Sequence, residues 1–237
     1  MKDLLLEYDF WLYSNGKDDY SENTKVIAQD YIDRNCKTQK EINMSSNCYN
    51  QITIEGSDKE IRDVLSYVKS KESDFDFEKV ISIPKCFKDI DETGYSMFCE
   101  DIAKYIRTGA IKDWLARVSE REKKTVDELV VEWEETGEYD IKLGLRILDN
   151  REEYDGCGYP SNFCSKYWGT KWNAMDIEIE GNSISLITAN GSCSPVLMEL
   201  SRIFPKVIIE HSFEIPDYDE SGWLKYKDGE ILNTDLC

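Results

Sequence analysis

The chain has 237 residues, 41 % apolar and 12 % aromatic, which suits a packed core in one large domain or two small ones. With 29 basic against 48 acidic residues its formal net charge is −19, which opposes direct binding to nucleic-acid phosphates, where Lys and Arg must replace counterions. No apolar run approaches the roughly 20 residues that span a bilayer, and acidic residues interrupt the apolar start "MKDLLLEYDFWLYSNG", so a secretory leader is not expected and the expected location is the cytoplasm.

In chain order, residues 4–13 read as a strand or short helix. In "NTKVIAQDYIDRNC" Val26, Ile27, Tyr31 and Ile32 fall at helical spacing, which predicts a helix. "NQITIEG" alternates, with Ile52 and Ile54 on one face and Thr53 and Glu55 on the other, as in a half-buried strand ending at Gly56. Ser57 and Glu60 then form a capping box for a helix whose Ile61, Leu65 and Val68 line one side. "DFDFEKVISIP" is expected to be extended and to stop at Pro84.

From about residue 86 the pattern turns helical. Ile111, Leu115 and Val118 lie at i, i+4 and i+7, as do Ile141, Leu145 and Leu148. Between them Thr125 and Glu128 make a second capping box, Val126, Leu129, Val130 and Trp133 form a stripe, and Gly137 ends the helix. This stretch is acidic: residues 120–155 carry 13 carboxylates against 6 bases. The strand pattern returns after Trp168. "AMDIEIE" and "SISLITA" pair around Gly181-Asn182. "SCSPVLMELSRIF" reads as a helix capped by Ser192 or Ser194 with Pro195 in its first turn. "KVIIEHSF" is a strand, and "GWLKYKDGEIL" a terminal hairpin turning at Asp228-Gly229.

Without its helical stretch the order is β-α-β-β-α-β. The expected class is therefore α+β, with a ferredoxin-like antiparallel sheet of order 4-1-3-2, both helices on one face, and a long helical insertion. The expected segments are an N-terminal extension (1–46), the first part of the ferredoxin-like domain (47–85), the acidic insertion (86–161), and the second part with its hairpin (162–237).

"NQITIEG", "FDFEKVISIP" and "YWGTKWNAMDIEIE…ISLITANGSCSPVLMELSRIFP" together resemble the YubB ferredoxin-like family of plasmid and phage proteins. The resemblance covers about 47–84 and 162–213, and W-G-T-K-W-N is its specific part. The corner "TANGSCSP" departs from the family's T-A-W-S-P-P type. The resemblance implies a mobile-element setting and a ferredoxin-like frame, and carries no activity with it.

Eight cysteines without a C-x-x-C, beside a single histidine, point to reduced thiols rather than a disulfide framework or a zinc site. "DYDESG" lacks the EF-hand register, and Walker A, G-x-G-x-x-G and G-x-S-x-G motifs are missing, so neither metal nor cofactor is expected. Trp168, Lys171 and Trp172 read either as a ligand platform or as indoles covering the sheet, and the large apolar area of tryptophan favours the second. Cys193 opens a helix, where the dipole lowers a thiol pKa, and His211 lies near the end of a strand on the same sheet edge. A Cys193/His211 enzyme site is thus the alternative function, opposed by the strand between them, a gap of about 10 Å. An RNA-binding sheet needs exposed aromatics with basic flanks; Asp176, Glu178 and Glu180 make these strands acidic.

The expected function is a non-enzymatic, acidic, anti-CRISPR-like binding protein. It would inhibit or modulate a basic host protein that handles nucleic acid, such as a CRISPR effector, by standing in for phosphates. The expected contact surface is Glu128, Glu132, Glu134, Glu135, Glu138 and Asp140, assisted by Asp217, Asp219 and Glu220, with no membrane or direct nucleic-acid contact.

Overall fold

The computed structural model describes residues 46–236. The elements expected at 4–13 and 24–36 lie outside the described residues, as do Cys36 and Cys237. Six strands form one antiparallel sheet: β1 (Asn47–Glu55), β2 (Met175–Glu180), β3 (Ser183–Ala189), β4 (Ile208–Ile215), β5 (Glu220–Lys227) and β6 (Glu230–Leu236). Their order is β2-β3-β1-β4-β5-β6. The first four strands of the chain thus stand in the order β2-β3-β1-β4, with β2 at one edge, and the terminal hairpin continues the sheet beyond β4. That hairpin turns at Asp228 and Gly229, both at positive φ (52° and 78°), as a two-residue connection between twisted strands requires.

The alternation in β1 decides which face is covered. Cys48, Asn50, Ile52 and Ile54 are buried, while Tyr49, Gln51 and Glu55 point away and are exposed. Two helices pack on the buried side. Helix α1 (Asp58–Val68) starts at Ser57, whose backbone N–H donates to the Glu60 carboxylate (2.9 Å), while the Glu60 N–H donates back to Ser57 Oγ. The last helix (Ser194–Ile203) has its proline in the first turn. Val64 and Val68 from one helix, and Val196, Leu197 and Leu200 from the other, meet Ile52, Ile54, Ile184, Leu186, Ile209 and Tyr226 of the sheet. Each fully buried aliphatic side chain there is worth roughly 2 kcal/mol.

"DFDFEKVISIP" is not an extended strand. Asp76 accepts from the Glu78 N–H and starts a short 3₁₀ turn, Phe77–Lys79. The reason is long-range. Asn173 accepts from the Phe77 N–H (2.9 Å) and donates to Asp76 Oδ1 (2.8 Å), while Phe75 and Phe77 are fully buried in the core. Local carboxylate and distant amide together offer these backbone groups a better set of partners than a ladder would.

The helical stretch comprises α2 (Gly94–Thr108), α3 (Asp113–Glu122), α4 (Val126–Thr136), α5 (Ile141–Glu153) and α6 (Pro160–Tyr167), which makes the last helix α7. It has a core of its own, in which Ile102, Leu115, Val126, Leu129 and Trp133 are buried. Two expected stripes shift. Ile111 precedes α3 and is exposed, because α3 begins only after the extended N-cap Lys112. In α5 the buried line is Gly144, Ile147 and Asn150, leaving Ile141, Leu145 and Leu148 half-buried. Gly144 explains that rotation: a Cβ there would lie 2.0 Å from the Cys99 carbonyl, so the missing side chain is what lets α5 seat on α2. Where the helical stretch rejoins the frame, the Trp168 indole N–H donates to the Ile81 carbonyl (2.8 Å). Among the described residues no helix is long and apolar enough to cross a membrane.

Candidate functional site

The W-G-T-K-W-N segment is mainly a clasp. Trp168 is buried in the core. Gly169 has φ +80°, and a Cβ on it would meet the Ser192 carbonyl at 2.4 Å; a Cβ on Gly191 would meet the Gly169 carbonyl at 2.4 Å. Two backbones cross here, and only glycines permit it. The fully buried Thr170 accepts from the Ala189 N–H and donates to the Ala189 carbonyl, both at 3.0 Å. Asn173 fixes the Asp76 turn as described above. What remains outside is Lys171 over the exposed Trp172 ring, 5.3 Å from its centroid.

The histidine and Cys193 do come together, through a residue that no sequence pattern singles out. β1 lies between β3 and β4 and fills the gap with Asn50. Asn50 Oδ1 is 3.0 Å from His211 Nε2, 3.4 Å from the Cys193 N–H, and 3.7 and 3.8 Å from the Cys193 and Cys48 sulfurs. Its amide nitrogen donates to the Cys48 carbonyl (2.9 Å) and to Thr188 Oγ1 (2.8 Å), and Thr188 donates onward to the Gly191 carbonyl (2.6 Å). With Oδ1 accepting, His211 carries its proton on Nε2, and Nδ1 is left to accept from the Tyr226 hydroxyl at 3.4 Å. Every member of this chain has a partner.

Chemically the cluster is quiet. His211 and Cys193 are both fully buried. Burial lowers the His211 pKa to about 4 and raises that of the Cys193 thiol, so neither thiolate nor imidazolium forms at neutral pH. A nucleophilic Cys–His pair needs the opposite shifts and access for a substrate. As arranged, the group ties α7 to the sheet. The six described cysteines, Cys48, Cys86, Cys99, Cys157, Cys164 and Cys193, carry free thiols, and no set of three His, Cys, Asp or Glu suited to a metal ion occurs among the described residues.

The acidic residues expected to bind a partner divide in two. Glu128 is spent on its capping box: its carboxylate accepts from the Thr125 N–H (2.7 Å) and hydroxyl (3.0 Å), which hold it below the usual carboxylate range. Glu132 pairs with Lys124, and Asp140 caps α5 by accepting from the Leu143 N–H (2.9 Å). Glu134, Glu135 and Glu138 are exposed on the end of α4 and the turn beyond it. Asp217, Asp219 and Glu220 are exposed at the corner between β4 and β5. The exposed carboxylates thus sit on two elements, the end of α4 and the corner between β4 and β5.

A third surface was not among the expected sites. The sheet face away from α1 and α7 holds a groove of about 720 Å³. The registers of neighbouring strands lay out its floor as a row running Glu178, Ser185, Gln51, Ser212, Trp223, Asp235. The next row contains Ile187, Tyr49, Glu214 and Ser221. Tyr49 is 49 % exposed, and the groove carboxylates of Asp176, Glu178, Glu214 and Asp235 are all exposed. The signal available in the sequence was the alternation within "NCYNQITIE" and "ESGWLKYK", which puts Tyr49 and Trp223 opposite the buried residues of their strands.

No family model matches the chain, and no curated protein matches it. It is similar to the crystal structure of a protein api92 from Yersinia pseudotuberculosis, ascribed to the family model DUF1281. Identity is 9 %, coverage is 81 % of this chain and 98 % of that one, and the TM-score is 0.40, too low to carry a conclusion about fold or function.

Proposed function

We propose that the protein is a non-catalytic binding protein of a phage or plasmid, acting in the host cytoplasm on a basic protein that handles nucleic acid, in the manner of an anti-CRISPR or other anti-defence inhibitor. The same reading takes β1, α1, β2, β3, α7 and β4 as a ferredoxin-like frame and keeps the likeness to the YubB family. The observation that carries it is the end of α4. Glu134 and Glu135 sit in the last turn, which contains no basic residue, and Glu138 follows at once. Carboxylates at a helix C-terminus oppose the helix dipole at a cost of roughly 0.3–1 kcal/mol each. A surface that violates a local rule without a partner among the described residues is the kind that function retains. The net charge of −19 supplies the long-range attraction to a cationic surface.

The test is affinity capture from host lysate with the wild-type chain and with the Glu134→Lys, Glu135→Lys, Glu138→Lys triple variant. A basic nucleoprotein should be retained at low salt and released as screening shortens the reach to roughly 8 Å at physiological ionic strength. The triple variant should fold normally and lose it. An acidic partner, or unchanged capture by the variant, overturns the proposal.

A further inference from the structure

The open face of the sheet is built differently from the patch at the end of α4, and its chemistry is more specific. Glu214 stands on β4, the strand between those that carry Tyr49 and Trp223. The floor around it is made of short polar side chains, Gln51, Ser185, Ser212 and Ser221, which leave room above the strands. Gln51 is held flat by its neighbours: its amide nitrogen donates to Ser183 Oγ (2.7 Å) and its oxygen accepts from Ser185 Oγ (2.6 Å). None of the four groove carboxylates, by contrast, has a hydrogen bond or an ion pair among the described residues. The one lysine of this face held by carboxylates, Lys225, is bound by Glu55 (3.3 Å) and Glu210 (2.7 Å) and does not line the groove. Among the described residues the groove is therefore an uncompensated anionic floor, with an aromatic ring on either side of its central charge.

We propose that this face binds an extended, arginine- or lysine-bearing peptide segment, with one cationic side chain seated on Glu214 between Tyr49 and Trp223. An ammonium or guanidinium group gains there both from the carboxylate and from the two ring faces, a pairing no anionic or purely apolar ligand can use. The carboxylates of Glu178 and Asp235 end the row on β2 and β6. Five strand spacings separate them, about 24 Å, which is the reach of roughly seven extended residues. The spread favours a chain carrying repeated charges over a compact ligand. The proposal rests on the reading that the partner is basic, but it places the contact on a different surface.

The test uses the full chain and a fluorescein-labelled peptide of about seven residues alternating Arg and Ser, matched to that span, titrated by fluorescence anisotropy at physiological ionic strength. Trp223→Ala, which changes no charge, and Glu214→Gln should each weaken binding about tenfold. Tyr49→Phe keeps the ring and should restore most of what Tyr49→Ala loses. Glu134→Gln with Glu135→Gln removes more charge outside the groove and should leave affinity within about twofold. Circular dichroism checks that each variant is folded. Should that control lose as much as Glu214→Gln while Trp223→Ala loses nothing, attraction is diffuse: the groove proposal fails and the basic-partner reading stands. Peptide displacement by spermine at equal charge concentration would assign the groove to small polycations and overturn the peptide. No binding by any form also overturns it, whatever the capture experiment finds.

Discussion

The two faces of the sheet are made from alternate residues of the same strands, yet treat polar groups in opposite ways. Asn50 and Gln51 are neighbours on β1, and His211 and Ser212 on β4. On the covered side Asn50, His211, Thr188 and Tyr226 form a dry chain in which each group is satisfied. On the open side Glu214, Glu178, Asp176 and Asp235 are left to water. Burial accounts for the contrast. An unpaired polar group costs one to several kcal/mol inside and little outside, so the covered face must be complete while the open face is free to hold charge for another molecule.

The strongest way to break this comparison is Asn50→Ala. It strands His211 Nε2, the Cys193 N–H and Thr188 together, and should cost about 3 kcal/mol or more in urea unfolding. Gln51→Ala, one residue away on the wet face, should stay within about 0.5 kcal/mol. Equal losses would mean that the buried chain is not the tie it is taken for. Next comes acid. The folded pKa of His211 lies near 4, below its ordinary value of 6.5, so the unfolded chain takes the proton first. Its contribution is whole above pH 6.5 and disappears as pH falls toward 4, about 3 kcal/mol in all. Denaturant titrations across that window should show a slope that His211→Asn lacks; the depressed carboxylates, such as Glu128, act mainly lower down.

Thiol labelling sharpens the same contrast kinetically. Cys48 and Cys193 are fully buried with raised pKa values, whereas Cys86 is only half-buried. Among the six described thiols of the native protein, a thiol-disulfide reagent should modify Cys86 first, and Cys48 and Cys193 only on unfolding. The smallest effect belongs to the open face. Neutralising Glu214, Glu178 and Asp235 together should change stability by a few tenths of a kcal/mol, most simply upward as repulsion falls. A loss above about 1 kcal/mol would show that these carboxylates serve the fold.

Much of the frame was legible because its signals are local. The alternation in "NQITIEG" and the Ser57/Glu60 box specify strand, corner and helix within fifteen residues of one another. The Thr125/Glu128 box was equally plain, and it engages the Glu128 carboxylate although the residue is exposed. What failed depends on distant partners. Asp76 turns the chain because Asn173, 97 residues on, meets it. α5 rotates because Gly144 fits against Cys99. Tyr49, Glu214 and Trp223 become one groove only once the strand registers are fixed, and no period within a single segment can announce that.

The hydrogen bond from Trp168 to the Ile81 carbonyl joins residues 87 apart, on either side of the helical stretch. Beside that bond Cys164 of α6 joins the sheet core, and Ile81 and Ile83 pack against Phe87, Cys157 and Phe163, so the chain leaves the frame and comes back through one shared seam. The entropy of closing such a loop grows only with the logarithm of its length, about 0.6 kcal/mol per doubling. The frame is therefore nearly indifferent to how much protein hangs between the two ends, provided that protein packs within itself and keeps the seam made by Phe87, Cys157, Phe163 and Cys164. Natural selection could exchange one helical cassette for another, with a different surface, while leaving the sheet, its dry polar chain and its open face unchanged.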